Sequence, residues 1–315
     1  MVGMASEEHL RKLIQGTSDG DECPCDYQTL WNGTDFRERD DVYMQFEDRR
    51  GKLRAAYYGA IKGRSHHFGP EVGFGWTVGD ALHNETIIMI KSAFGGRTLA
   101  IDFRPPSAGE GNYSNVLPSH YGWEYRQMVT DFNDALQNLS NIYPEYDTDA
   151  GYELAGFVWF HGWNDMLNED TTHEYSSNLA HFIRDVRLEF KTPLMPFVVG
   201  ELGMHGLHPE GKSIARVLYF REAQRNTTLL PEFRNNTLFV PTASYMKFNV
   251  TTYNGGYHYN GRADTYYRIG QAMGRGMLQF LKTAKTTAVI KQHSLQEWWK
   301  LRQKGVACSL PKVIE

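Results

Sequence analysis

Three short stretches carry residue types suited to acyl chemistry. In "KSAFGGRTL", Gly95 and Gly96 follow an apolar run, and a glycine pair there lets the backbone turn tightly and present bare N–H groups. In "FHGWND", Gly162-Trp163-Asn164-Asp165 sets an amide donor beside a carboxylate just past another apolar run. In "GGYHYNGRADTYYRIG", His258 follows Gly255-Gly256 and precedes a helical pattern. Each has a plainer reading: the glycines as a turn, Asn164 as a helix cap, His258 as a surface residue. Taken together, a base titrating near neutrality and two separate sources of hydrogen-bond donors are what acyl transfer through an activated serine requires. The serine itself is not among them.

The elements that must position these residues follow an alternating rhythm. Thr86–Ile90, Ala155–Phe160, Pro196–Leu202 and Thr237–Ala243 are short β-branched or aromatic runs, each separated by a segment long enough for a helix. Leu179, Phe182, Ile183, Val186 and Phe190 share one helical face, as do Ile269, Met273, Met277 and Phe280. Strands alternating with helices predict a three-layer α/β/α sandwich on a mostly parallel sheet, with active residues on the loops after strand ends. Residues 1 to about 80 read as loop-rich, with only short strands at Val42–Phe46 and Leu53–Tyr57. The tail, with "QEWWKLRQKG", reads as an amphipathic closing helix, so the expected division is one domain over 1–282 and a helical tail over 283–315.

Composition narrows the partners. A net charge of −4 with 22% charged residues offers no field for nucleic acid or an anionic membrane. No apolar run approaches the roughly 18 residues of a membrane helix, so membrane insertion is not expected. Cys23, Cys25 and Cys308 are odd in number, and Cys23-Pro24-Cys25 is too tightly spaced for a zinc knuckle. Asn-x-Ser/Thr occurs at Asn32, Asn84, Asn112, Asn138, Asn226, Asn235 and Asn249, where about two such triplets would arise by chance. That density predicts passage through a secretory lumen, although no signal peptide opens the chain. The competing reading is a Thr-rich polar surface with idle sequons.

The order of glycine loop, Gly-x-Asn-Asp and late His resembles the SGNH hydrolase superfamily, whose fold is flavodoxin-like. The stretches "FGPEVGFGW", "KSAFGGRTLAIDFRPPSAG", "GFVWFHGWNDM" and "YHYNGRADTYYRIG" are similar to the sialate O-acetylesterase and acetylxylan-esterase-like branch of carbohydrate esterases, over roughly residues 68–280. The resemblance implies removal of acetyl groups from sugar hydroxyls, with an acetylated carbohydrate as partner and neither metal nor organic cofactor. It casts Gly96, with Gly95 beside it, and Asn164 as oxyanion donors and His258 as the base. The family's serine lies in a Gly-Gln-Ser-Asn-Met block, and "MVGMAS" resembles that block's end, so the resemblance sets the nucleophile and the first strand ahead of Met1. Many relatives carry Asp three residues before the base, where this chain has Gly255. Asp165 is the first candidate to orient His258 and Glu201 the second; either also suits an Arg pair or a helix cap.

Two other patterns compete. Gly206 to Ser213, "GLHPEGKS", satisfies the phosphate-loop spacing after a strand and before a helix. Pro209 and Glu210 stand where that loop would wrap phosphate, which makes nucleotide binding through Lys212 a remote alternative. His66-His67, with His205 and His208, lacks the carboxylate spacing of a metal site. A glycan-binding pseudoenzyme, with Trp163 and Tyr257 stacking on sugar rings, is the nearer rival. Arg104 in "DFRPPSAG" fits a substrate rim or an ordinary ion pair. The sugar, the acetyl position and the oligomeric state stay open.

Overall fold

The computed structural model describes residues 3–18, 25–59, 67–253 and 257–281. Two compact units divide the chain, Met1–Met277 and Leu278–Glu315. Of the second, only 278–281 are described, all helical, so the expected tail over 283–315 lies outside the described residues. Ser65, His66 and the pair Gly255-Gly256 lie outside them as well.

The first unit contains more helix near its start than the sequence suggested. β1 (Ala5–Ser6) pairs antiparallel with β4 (His67–Phe68) and leads into α1 (Glu7–Gln15). Ser6 caps α1 by accepting from the His9 amide at 3.3 Å, and Gly16 ends it in the left-handed conformation. After the short α2 (Cys25–Gln28) come β2 (Glu38–Phe46) and β3 (Arg49–Arg54), an antiparallel hairpin. β2 starts earlier than expected because charged side chains cross the hairpin, Asp40 to Lys52 and Glu38 to Arg54. β3 stops earlier, two residues before Ala56 at φ 57°. α3 (Glu71–Ala81) is hidden in the sequence by its glycines. They let it cross a long helix over 263–281, α8, at backbone contact: a side chain at Gly73 would strike the Tyr267 carbonyl, and one at Gly270 the Pro70 carbonyl.

The expected α/β alternation holds beyond that point. β5 (Ile87–Lys91) pairs parallel with β2, giving the order β3-β2-β5. α4 (Trp123–Gln137) follows, then β6 (Phe157–Trp159), α5 (Trp163–Met166), α6 (Glu169–Glu189), β7 (Phe197–Gly200), α7 (Ile214–Thr228) and β8 (Thr237–Val240). β6, β7 and β8 form a second, wholly parallel sheet. Among the described residues no strand pairs between β5 and β6.

Side-chain alternation sets the layers. Ile88 and Ile90 of β5 face Leu139 and Ile142 after α4, while Met89 faces Gly75 of α3. Phe197 and Val199 of β7 join the core of α6 and α7, while Val198 faces Gly276 of α8. Helices α4, α6 and α7 thus cover one side, and α3 and α8 the other. Aromatic rings pack against one another in this core. Phe182 of α6 is fully buried, with Trp159 at 4.3 Å, Tyr125 at 5.7 Å and Phe157 at 5.9 Å between ring centroids. Replacing Phe182 with Ala should lower the unfolding free energy by about 3–5 kcal/mol through lost transfer energy and a residual cavity. Chemical denaturation checks this; a loss below about 1 kcal/mol would mean the site collapses around the smaller side chain.

Candidate active site

β5 runs into the glycine turn. Gly96 has φ +74°, in the left-handed region, and the space around Gly95 is open. Behind the turn, Arg97 pairs with the fully buried Glu124 at 2.9 Å and with Asp102 at 3.3 Å, and lies 5.0 Å over Trp123. Burial pushes the Glu124 carboxyl up to about 7, against the pull of Arg97. The Asp102 carboxylate accepts from the Thr98 amide at 2.8 Å and the Thr98 hydroxyl at 3.1 Å, so the chain after the turn closes on itself.

β6 delivers the second piece. Beyond Trp159 the chain turns at Gly162 into α5, which carries Asn164 and Asp165. Tyr175 donates its hydroxyl proton to the His161 carbonyl at 3.1 Å, and Gln224 donates to that same carbonyl and to the Gly200 carbonyl. These bonds tie the carboxyl ends of β6 and β7 together. Asn164 then stands beside the glycine turn: a side chain at Gly96 would meet the Asn164 amide nitrogen at 3.9 Å. Two donor-bearing loops 68 positions apart, at Gly96 and Asn164, are thereby brought to one place.

The His258 loop carries a run of left-handed backbone. His258, Tyr259, Asn260 and Gly261 have φ of 50°, 53°, 57° and 67°, four successive left-handed residues. Tyr259 is buried, accepts from the Gly203 amide at 3.0 Å and stacks over Phe160 at 6.2 Å. Asn260 donates to the Lys247 carbonyl at 2.8 Å, and its own carbonyl accepts from Tyr253 at 2.7 Å. The His258 loop is thus seated on the loops that follow β6 and β7. Partial burial lowers the His258 pKa below its ordinary 6.5.

The two acid candidates are engaged elsewhere. Asp165, fully buried, accepts from the Leu99 amide at 2.9 Å and the Ala100 amide at 3.0 Å. Burial raises its carboxyl to about 7 while those amides oppose the shift. Glu201 accepts from the Thr242 and Ala243 amides at 2.7 and 2.8 Å and lies 3.7 Å from Arg221. Neither carboxylate has a hydrogen bond or ion pair with His258 among the described residues. Arg104 is an ion-pair residue, 2.9 Å from Glu174 and donating to the Ala100 carbonyl. In the phosphate-loop pattern, the Phe248 ring lies where a side chain at Gly206 would go, and the Gly206 carbonyl accepts from Arg221. No group of three or more His, Cys, Asp or Glu side chains among the described residues is arranged to hold a metal.

The residue that sequence reasoning passed over is His161. Its Nε2 donates to the Arg97 carbonyl at 3.1 Å, and its Nδ1 lies 3.7 Å from Asp165. The signal was present, since His161 and Asp165 stand four apart around Gly162 in "FHGWND".

A family model described as carbohydrate esterase, sialic acid-specific acetylesterase matches residues 44–279. No curated protein matches the chain. Among solved structures, an Arabidopsis thaliana protein determined by X-ray at 1.6 Å aligns with a TM-score of 0.54 at 16% identity, over 77% of this chain and 82% of that one. A carbohydrate acetylesterase from Xanthomonas citri aligns with a TM-score of 0.43 at 16% identity, over 75% of this chain and 49% of its own. The Arabidopsis alignment agrees in fold.

The glycine turn makes its own prediction. Gly96→Ala must hold a side chain in the left-handed region and should cost about 1–2 kcal/mol, whereas Gly95→Ala, facing open space, should stay within about 0.5 kcal/mol of the parent. Equal losses in denaturant melts would place the strain elsewhere.

Proposed function

Because the chain belongs to the carbohydrate esterase, sialic acid-specific acetylesterase family, we propose that it hydrolyses acetyl esters on sugars through an acyl-serine intermediate. In this reading a serine hydroxyl attacks the acetyl carbonyl, and His258 accepts the hydroxyl proton. The C=O electron pair moves onto oxygen, where the Gly96 N–H and the Asn164 amide receive the developing charge, with the Gly95 N–H beside them. Collapse expels the sugar oxygen, which takes the proton back from His258. Water then repeats the sequence on the acyl-serine and releases acetate.

The observation that carries this reading is the Asn164 amide standing beside Gly96 at the carboxyl ends of β5 and β6. By the family resemblance the attacking serine belongs to a Gly-Gln-Ser-Asn-Met block, and "MVGMAS" is similar to the end of such a block. Described serines near the chain start are otherwise occupied: Ser6 caps α1, and Ser18 bonds His9 at 3.3 Å. Asp165 and Glu201 enter as supports of the loops rather than as the partner of His258.

Acetate release from O-acetylated sugars by the full-length gene product tests the reading. His258→Ala should reduce turnover by about 10²- to 10⁴-fold, and Asn164→Ala by about 10²- to 10³-fold with little change in KM. Release that is indifferent to His258 would refute the mechanism. Glycan binding without acetate would leave the pseudoenzyme. Since His258 must be neutral to take the proton and burial lowers its pKa, the acid limb of the kcat/KM profile should lie below pH 6.5.

We also propose a secretory-lumen location. All seven sequon asparagines are solvent-exposed, and Asn32 accepts from the Thr34 amide and hydroxyl in a turn. Peptide-N-glycosidase treatment of the protein from its native source should increase its gel mobility; unchanged mobility would contradict the proposal.

A further inference from the structure

We propose that His161 is a positioning residue for the acetyl-ester reaction: its Nε2–H holds the Arg97 carbonyl, and with Asp165 one turn on, it clamps the glycine turn against Asn164. This inference rests on the functional reading above and extends it to a residue with no part in proton transfer.

The clamp has two jaws. Directly after the turn the imidazole Nε2 reaches the Arg97 carbonyl at 3.1 Å; two residues further on, the Asp165 carboxylate takes the Leu99 and Ala100 amides. The peptide between Arg97 and Thr98 is planar, and both its polar ends are held, the carbonyl by His161 and the N–H by Asp102 at 2.8 Å. With that plane fixed one residue beyond Gly96, the backbone leaving the left-handed glycine cannot swing without breaking these bonds. Both jaws sit on the Gly162 turn that carries Asn164. The donors of one loop are therefore tied to the donor of the other.

A carbonyl partner requires a proton on Nε2, and a neutral imidazole has only one. Nδ1 is then a bare acceptor, buried and without a hydrogen-bond partner, and 3.7 Å from Asp165 is too far for a bond. The ring lies in an apolar slot, 4.7 Å from Trp159 and 5.6 Å from Phe103. Burial agrees with neutrality, lowering the His161 pKa to about 3. A neutral, fixed donor beside a carboxylate that is busy elsewhere suits a brace and not a proton shuttle.

Two substitutions separate the donor from the ring. His161→Phe keeps the aromatic packing and removes the donor, while His161→Gln keeps an N–H at similar reach. With acetylated sugar as substrate, His161→Phe should lower kcat by about 10- to 100-fold with KM within about twofold, and His161→Gln should recover most of that loss. In the same proteins, amide hydrogen exchange over 94–100 should quicken in the Phe variant and return to the parent rate in the Gln variant, with α6 unchanged in both. Parent-like kinetics and exchange in His161→Phe, or equal losses in both variants, would overturn the proposal. If the parent releases no acetate, the esterase reading fails, and the exchange comparison still decides whether His161 holds the turn.

Discussion

A carboxylate taken out of water must be answered by hydrogen bonds, and Asp165 is answered by the main chain of another loop. Its oxygens accept from Leu99 and Ala100, 66 and 65 residues away, so the segment after the glycine turn can lie in only one place. The Asp165 carbonyl accepts from the Thr171 and Thr172 hydroxyls at 2.6 and 2.9 Å, and Asn168 caps α6, in whose first turn those threonines lie. One residue thus sits at the junction of the glycine turn, α5 and the start of α6. The placement of Gly96 beside Asn164 follows from that junction.

The same device recurs one strand over. Glu201, at the end of β7, accepts from the consecutive amides of Thr242 and Ala243 beyond β8, while the Thr242 hydroxyl returns a bond to the Glu201 carbonyl at 2.7 Å. Buried carboxylates gripping pairs of neighbouring N–H groups fix loops that have no regular structure of their own, because moving either loop would strand both partners. Gln224 and Tyr175 fill the gap between these grips with bonds to the carbonyls of Gly200 and His161. The loop ends of β6, β7 and β8 form one bonded network.

The loop of His258 uses strain in place of charge. Four left-handed residues in succession, three of them not glycine, persist only where the surroundings over-determine them. Here Tyr259 is pinned through its hydroxyl and its ring, and Asn260 through both its side chain and its carbonyl. The outcome is a half-buried histidine whose two following residues are fixed, on a loop seated against the bonded loop ends of β6 and β7.

Periodicity made the core of this fold legible. The apolar runs that become β5 to β8 and the faces of α6 and α8 stand out because burial on a sheet or a helix imposes spacings of 2 and 3.6 on the chain itself. The residue types in "AFGG", "GWND" and "YHYNG" likewise marked Gly95, Gly96, Asn164 and His258 as candidates, since the capacity to donate or to act as a base is a chemical property that each residue carries alone; the structure sets Gly96 beside Asn164. α3 escaped notice because the glycines that admit α8 dilute its apolar pattern, and α1 because nine residues offer few repeats. The roles of Asp165 and Glu201 could not be read locally: a carboxylate after a strand looks alike whether it faces a histidine or a pair of distant amides. Sequence decided which groups this protein can bring to bear. Which of them meet was decided by tertiary structure alone, because partners 40 to 70 residues apart are chosen by the cost of leaving buried polar groups unpaired.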